Sequence, residues 1–259
     1  MLTKTSTVAA ATFLFLMLHT VFVIRPVSAD TISIRADAWC PMNCDPKSDK
    51  PGYAIEIAKA IFEPAGHQID YQTLNWARAI AETRTGSHVA IVGAAKSDAP
   101  DFIFPENELG LSRSCFFAKT ASTWKYAGVD SLKAVKLGIT KDYTYGDPLD
   151  GYVKANSAGL EVFSGDDTLE KQIKMLQLDR IGVFIDDSNV IAHHLAAQNL
   201  AGTIKEVGCL EATASYIAFA PTNAKSKEYA KLLSDGVAAL RSSGKLTPIL
   251  EHYGLKDWK

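Results

Sequence analysis

Residues 69–92 read IDYQTLNWARAIAETRTGSHVAIV, and they hold one full cycle of an α/β chain. The run 69–74 suits a strand. Asn75 is placed to cap a helix over 76–85, its side-chain oxygen accepting one of the first-turn N–H groups that has no partner inside the helix. Gly86 closes that helix, and 88–92 is the next short apolar strand. Upstream, 31–38 alternates Ile32 and Ile34 with small residues and reads as an earlier strand. The segment 53–63 turns Ile57, Ala58, Ile61 and Phe62 to one helical face and is stopped by Pro64 and Gly66.

Beyond Ser114 to Phe117 the same alternation restarts. Strands are expected over 135–139, 160–163, 181–185, 203–207 and 215–220. Helices are expected after the capping-box-like DTLE at 167–170, over 189–197, and over 226–241, where Tyr229, Leu233, Val237 and Leu240 form one stripe. A last helix is expected over 247–253. No repeat or low-complexity linker interrupts this order. Two α/β units in succession, with a strand and helices left over, fit either one long sheet or two lobes, the C-terminal piece returning to complete the first.

The termini and composition narrow the setting. Lys4, the apolar run 8–24 and VSA at 27–29 have the form of an export signal, with 1–29 removed and Asp30 as the new N-terminus. The 259 residues less those 29 leave 230, enough for two lobes. Taking Lys4 and Arg25 from the 27 basic residues leaves 25 against 29 acidic, a net charge of −4. That balance, without a basic cluster, excludes nucleic acid and anionic membrane as expected partners. Four cysteines in an oxidising compartment read as two disulfides. Three pairings are open; the short CPMNC spacing favours Cys40 with Cys44, which leaves Cys115 with Cys209.

The chain resembles the polar amino-acid family of ABC-transporter solute-binding proteins along its mature length. The resemblance rests on Trp39 after the first strand, PGYAIEIAKAI at 51–61, NWARAI at 75–80 and GSHVAIVG at 86–93. In the second half it rests on LGITKDYTYG at 137–146, LQLDRIGVFIDD at 176–187 and SYIAF at 215–219. It implies an α/β, two-lobed periplasmic-binding-protein-like fold, each lobe a sheet flanked by helices, with a hinge of two crossing strands. Lobe one would take 30–118 and 214–259, lobe two 119–213, with Cys115 and Cys209 near the crossover. The implied function is periplasmic binding of a small polar or zwitterionic, amino-acid-like solute by a monomer, with delivery to an inner-membrane ABC permease. A ligand-sensing subunit for a signalling receptor is the alternative within that fold.

One stretch departs from the family. Its amino-acid binders carry a Thr-x-x-Arg-like element after the third strand, where this chain has AAKSDAP at 94–100. Lys96 offers a point charge there but not a guanidinium fork; Arg78 and Arg113 are the other candidates for an anionic ligand group. Trp39 and Trp76 are expected to stack on ligand, against the plainer reading of core tryptophans. Tyr143 and Tyr145 flank the turn DYTYGD at 142–147, whose N–H groups suit an anion. Asp186 and Asp187 end a strand, so one of them should face the cleft. The resemblance selects Asp187 to accept from a ligand ammonium or hydroxyl, and capping the next helix is its competing role. No nucleophile, metal-ligand or phosphate-loop motif is present, so neither an enzyme nor a metal or other cofactor is expected. The one soft-metal candidate is Cys40 and Cys44 with Met42, a thiol or Cu(I) carrier in a third reading.

The leader carries the first testable statement. N-terminal sequencing of protein released by osmotic shock should begin at Asp30, and a membrane-bound product retaining 1–29 would contradict it.

Overall fold

The computed structural model describes Met1, residues 29–165 and residues 167–259. The expected signal segment, apart from Met1 and Ala29, lies outside the described residues. The chain runs β1 (Thr31–Ala36), α1 (Tyr53–Phe62), β2 (Gln68–Thr73), α2 (Trp76–Arg84), β3 (Ala90–Ala94) and β4 (Gly110–Ser112). There follow β5 (Ser114–Lys119), β6 (Leu137–Thr140), α3 (Leu149–Ala155), β7 (Leu160–Phe163), α4 (Thr168–Gln177), β8 (Val183–Asp187), α5 (Ser188–Ala197) and β9 (Ile204–Cys209). The last elements are β10 (Thr213–Phe219), α6 (Ser226–Ser242) and α7 (Leu246–Glu251). No helix among the described residues is long and apolar enough to cross a membrane.

Among the described residues the strands form two five-stranded sheets, in the orders β2-β1-β3-β10-β4 and β7-β6-β8-β5-β9. The single long sheet left open by the sequence is thereby excluded. Within each sheet the first three strands in order are parallel and the others are added antiparallel. The first sheet is completed only when the chain returns: β10 enters between β3 and β4. An edge-to-face aromatic cluster fixes that return, with Phe62 of α1 at 6.3 Å from Phe219 of β10 and 6.1 Å from Tyr229 of α6. In the second sheet Phe117 stacks on Phe184 across β5 and β8 at 5.5 Å.

The chain passes between sheets at Arg113 and returns through 210–212. Thr213 pairs with Ser112 on one side of the passage and Cys209 with Cys115 on the other, so the two crossings form one antiparallel ribbon. Ser114–Lys119 pairs with β8 and β9. It therefore belongs to the second sheet, whereas a boundary at 118 puts most of it in the first lobe. The sequence around 114–119 is apolar on both faces, and pattern alone does not say which sheet receives it. At the start of α4 Asp167 makes no capping bond; its carboxylate instead pairs with Lys171 one turn on, at 2.6 Å.

Both cysteine pairs are joined, Cys40 to Cys44 and Cys115 to Cys209, with no free cysteine among the described residues. The CPMNC loop sits on the N-terminus of α1, which lacks a side-chain cap. Instead the carbonyl oxygens of Pro41 and Met42 accept the Tyr53 and Ala54 N–H groups at 3.0 Å each, and Cys44 N–H donates to Pro51 O at 2.7 Å. Only glycine fits at position 52: its φ is 113°, and a Cβ there would stand 2.3 Å from Met42 O. The disulfide-bonded loop is thus part of the helix start, which removes the free thiols a Cu(I) or thiol carrier would need.

Non-reducing peptide mapping should recover both bridges. The longer one spans 94 residues, so Cys209→Ser should lose about 2–4 kcal/mol, a fall in melting temperature of roughly 4–16 °C. An unchanged melting temperature would show that the bridge does not hold the ribbon.

Candidate functional site

The ribbon leaves a cleft of about 110 Å3 between the sheets. One water needs about 10–15 Å3, so the space suits a single small molecule rather than a peptide. Its floor is the ribbon itself, Ser112, Ser114, Thr213, Ala214 and Ser215, all small side chains that leave room above them. Trp39, Trp76, Tyr143 and Tyr145 supply aromatic walls. Asp37, Asp98, Asp186, Asp187 and Glu211 supply carboxylates, and no Lys, Arg or His lines the cleft among the described residues.

From the first sheet, Trp39 is positioned by the disulfide-bonded loop. Its backbone N–H donates to Asn43 O at 2.7 Å, and its carbonyl oxygen accepts the Met42 N–H at 3.0 Å. Its indole N–H reaches across to Asp186 Oδ1 at 3.4 Å. Trp76 opens α2 and is 6% exposed. Asn75 caps that helix as expected, accepting the Arg78 N–H. From the second sheet, the turn after β6 passes through Asp142 at φ 63° and Gly146 at φ 80°, which swings two side chains across the cleft. Tyr143 Oη–H donates to Asp37 Oδ2 at 2.6 Å, and the Thr144 hydroxyl donates to Asp98 Oδ1. Tyr145 stays with its own sheet, its hydroxyl oxygen accepting the Thr140 N–H at 3.0 Å.

Asp186 and Asp187 both line the cleft, not one of the two. Strand alternation fails there because β8 ends at Asp187 and α5 begins at the next residue. Asp187 folds over the helix start: Oδ1 accepts the Asn189 and Val190 N–H groups at 2.8 and 3.2 Å, and Oδ2 accepts the Arg113 N–H at 2.8 Å. Its capping role is therefore the one the geometry displays, and truncation to Ala should cost about 0.5–2 kcal/mol through the cap alone. Asp186 is also buried, 7% exposed, with fewer hydrogen bonds to its carboxylate. Burial pushes its carboxyl up to about 7; the Asp187 N–H and the Trp39 indole oppose that rise, while the Asp187 and Asp37 carboxylates add to it. Asp98 and Asp187 are also raised, burial being the largest cause in each.

Of the residues expected to meet ligand, Trp39, Trp76, Tyr143, Tyr145 and Asp187 are brought together here. Arg78, Lys96 and Arg113 are not. Arg78 pairs with Glu82 one turn along α2 at 2.6 Å, Lys96 lies over the Tyr216 ring at 5.3 Å, and the Arg113 guanidinium turns outward to Glu206 at 3.4 Å. The turn expected to receive an anion does not present its N–H groups either: Tyr145 and Gly146 N–H donate to Asp150 Oδ1 and Oδ2 at 2.8 and 2.9 Å. Asp37, Asn43, Asp98, Asp186 and Glu211 join the site from outside the expected set. Only Asp186 had a sequence signal, its place at the C-terminal end of an apolar strand.

No protein-family model and no curated protein sequence matches the chain. Solved structures do. A histidine kinase sensor domain with similarity to periplasmic binding proteins aligns at TM-score 0.72 and 19% identity, over 88% of this chain and 98% of that one. The arginine-, lysine-, histidine-binding protein ArtJ from Geobacillus stearothermophilus aligns at 0.71 and 15%, over 88% and 97%. A substrate-binding protein of an ABC uptake transporter from Streptococcus pneumoniae, with bound histidine, aligns at 0.69 and 20%, over 86% and 92%. At these identities the likeness establishes the fold: two lobes, each a sheet flanked by helices, joined by two crossing strands, as in periplasmic binding proteins.

Asp186 gives the site a measurable pH signature. Its folded-state value lies above that of an unfolded aspartate. Between about pH 4 and 7 the folded chain therefore holds a proton the unfolded chain has released, and stability falls as pH rises through that window. Asp186→Asn removes the ionisation. Its melting temperature should match the wild type near pH 4 and exceed it by roughly 4 °C or more at pH 8; equal melting at both pH values would mean that Asp186 ionises without cost.

Proposed function

We propose that the protein is an exported solute-binding protein that closes its two lobes around one small polar ligand, without chemistry, and passes it to an inner-membrane ABC importer. The observation that carries this reading is the set of contacts across the cleft: Trp39 to Asp186, Tyr143 to Asp37 and Thr144 to Asp98. Each joins a side chain of one lobe to one of the other beside the same small space, so a ligand there would touch both lobes and favour their closed arrangement. The absence of a nucleophile–base pair in the sequence, and neighbours that are binding proteins or a sensor domain, support binding as the whole activity.

The role of sensor has its own support, since a histidine kinase sensor domain is among the structures the chain resembles. The two readings share the cleft and differ in the partner. Loss of solute uptake in a strain lacking the chain would favour the importer. Intact uptake with a lost transcriptional response would favour the sensor.

Closure is tested by small-angle scattering on protein freed of co-purified ligand and then given back that molecule, identified by mass spectrometry. The radius of gyration should fall on addition. Trp76→Ala should weaken binding by roughly 30-fold, the equivalent of about 2 kcal/mol for a buried aromatic contact. Unaltered affinity in that variant would place the ligand elsewhere.

A further inference from the structure

The balance of hydrogen-bond donors and acceptors around the cleft points to the chemistry of the ligand. Backbone N–H groups are the usual receptors of an anion where no cationic side chain is present, and here five around the cleft are already engaged. Ala95 N–H donates to Asp98 at 2.7 Å, Arg113 N–H to Asp187 at 2.8 Å, and Asp187 N–H to Asp186 at 2.7 Å. Those of Tyr145 and Gly146 are taken by Asp150. Of the two helix starts at the cleft, that of α5 is covered by the Asp187 carboxylate and that of α2 is capped by the Asn75 side chain. A ligand carboxylate would meet five acidic side chains and no Lys, Arg or His among the described residues lining the space.

Acceptors are in the opposite condition. Asn43 is fully buried in the cleft wall, and its Oδ1 has no hydrogen-bond partner. Its orientation is fixed, because Nδ2 donates to the Asp37 carbonyl oxygen at 2.6 Å, a group that can only accept. Beside it lies Gly93, where a Cβ would stand 3.6 Å from both Oδ1 and the Trp39 ring. The missing side chain leaves that acceptor and that aromatic face within reach of the same group. A polar atom buried without a partner is rare in folded proteins, and this one calls for a donor.

We infer that the cleft takes a small organic cation, a primary amine or guanidinium without a carboxylate, held between the Trp39 and Trp76 rings, the Asp186 carboxylate and Asn43 Oδ1. This rests on the ligand-binding reading above and names its ligand class. Aromatic faces attract such cations through the ring quadrupole, most strongly where water is excluded, and an ammonium offers donors only.

The test uses matched pairs that differ by one carboxylate: agmatine with arginine, cadaverine with lysine, histamine with histidine. The exported protein is unfolded in guanidinium with its disulfides intact, dialysed and refolded, then titrated calorimetrically and melted with each compound. At least one amine should bind about tenfold or more tighter than its amino acid. Asp186→Asn, which the pH argument makes at least as stable as the wild type at pH 8, should lose about tenfold or more of that affinity. An amino acid that binds as tightly as its amine overturns the inference and leaves binding in the cleft standing, as does undiminished amine affinity in Asp186→Asn. No response to any of the compounds overturns the inference too. If the molecule recovered from the native protein also fails to contract it in scattering, the ligand-binding reading falls with it.

Discussion

The antiparallel ribbon between the sheets is the constraint on which the molecule depends. The second lobe is one continuous piece of chain, but the first is not: it lacks β10 and the helices behind it until the second has been threaded. Ser112 pairs with Thr213 in the first sheet and Cys115 with Cys209 in the second, so the two crossings run side by side from one sheet to the other rather than as two independent linkers. The Cys115–Cys209 bridge sits on the second-lobe side of that passage. It ties the crossings to each other, and because both cysteines belong to one sheet it does not tie lobe to lobe. Motion between lobes is left to the few residues around Arg113 and 210–212.

The cleft above the ribbon is unusual in its charge. Burying carboxylates without cations beside them is costly, and this chain lowers that cost by giving each a backbone N–H or a hydroxyl. Asp187 takes three N–H groups and Asp98 takes an N–H and the Thr144 hydroxyl. Asp186 takes only the Asp187 N–H and a long indole contact, which offset its burial in part and leave its carboxyl raised to about 7. The same bonds that make the acidic groups tolerable also use up the donors that an anion would need. Tolerance of the acids and exclusion of anions are one arrangement seen from two sides.

Much of this was legible in the chain order. The strand–helix alternation, the Asn75 cap and the Cys40–Cys44 bridge follow from local patterns; the Cys115–Cys209 bridge was the pair left over, and the family resemblance placed Trp39, Trp76, Tyr143 and Tyr145 at the cleft. Local pattern failed where a side chain had competing partners. Arg78 had Glu82 four residues on, an i,i+4 pairing visible in the sequence, but the partners of Lys96 and Arg113 come from remote strands. Asp37 and Asn43 carry no signal at all; the fold brings them to the cleft through the loop closed by Cys40 and Cys44. The alternation rule misassigned the Asp186–Asp187 pair because it holds inside strands and lapses at the last residue of one.

Asp150 has a consequence for how relatives of such a protein are compared. It does not line the cleft, yet its two oxygens hold both N–H groups of the Tyr145–Gly146 turn. A lineage that replaced it with a small neutral residue would remove one negative charge and release two donors in a single step, with every cleft-lining side chain unchanged. The charge behind the cleft and the bonding of its turn would then change without leaving a trace in the residues usually aligned to infer ligand preference. Sorting homologues by their cleft-lining residues would group proteins whose turns are held differently, and position 150, on the first turn of the helix behind the site, would be the column that separates them.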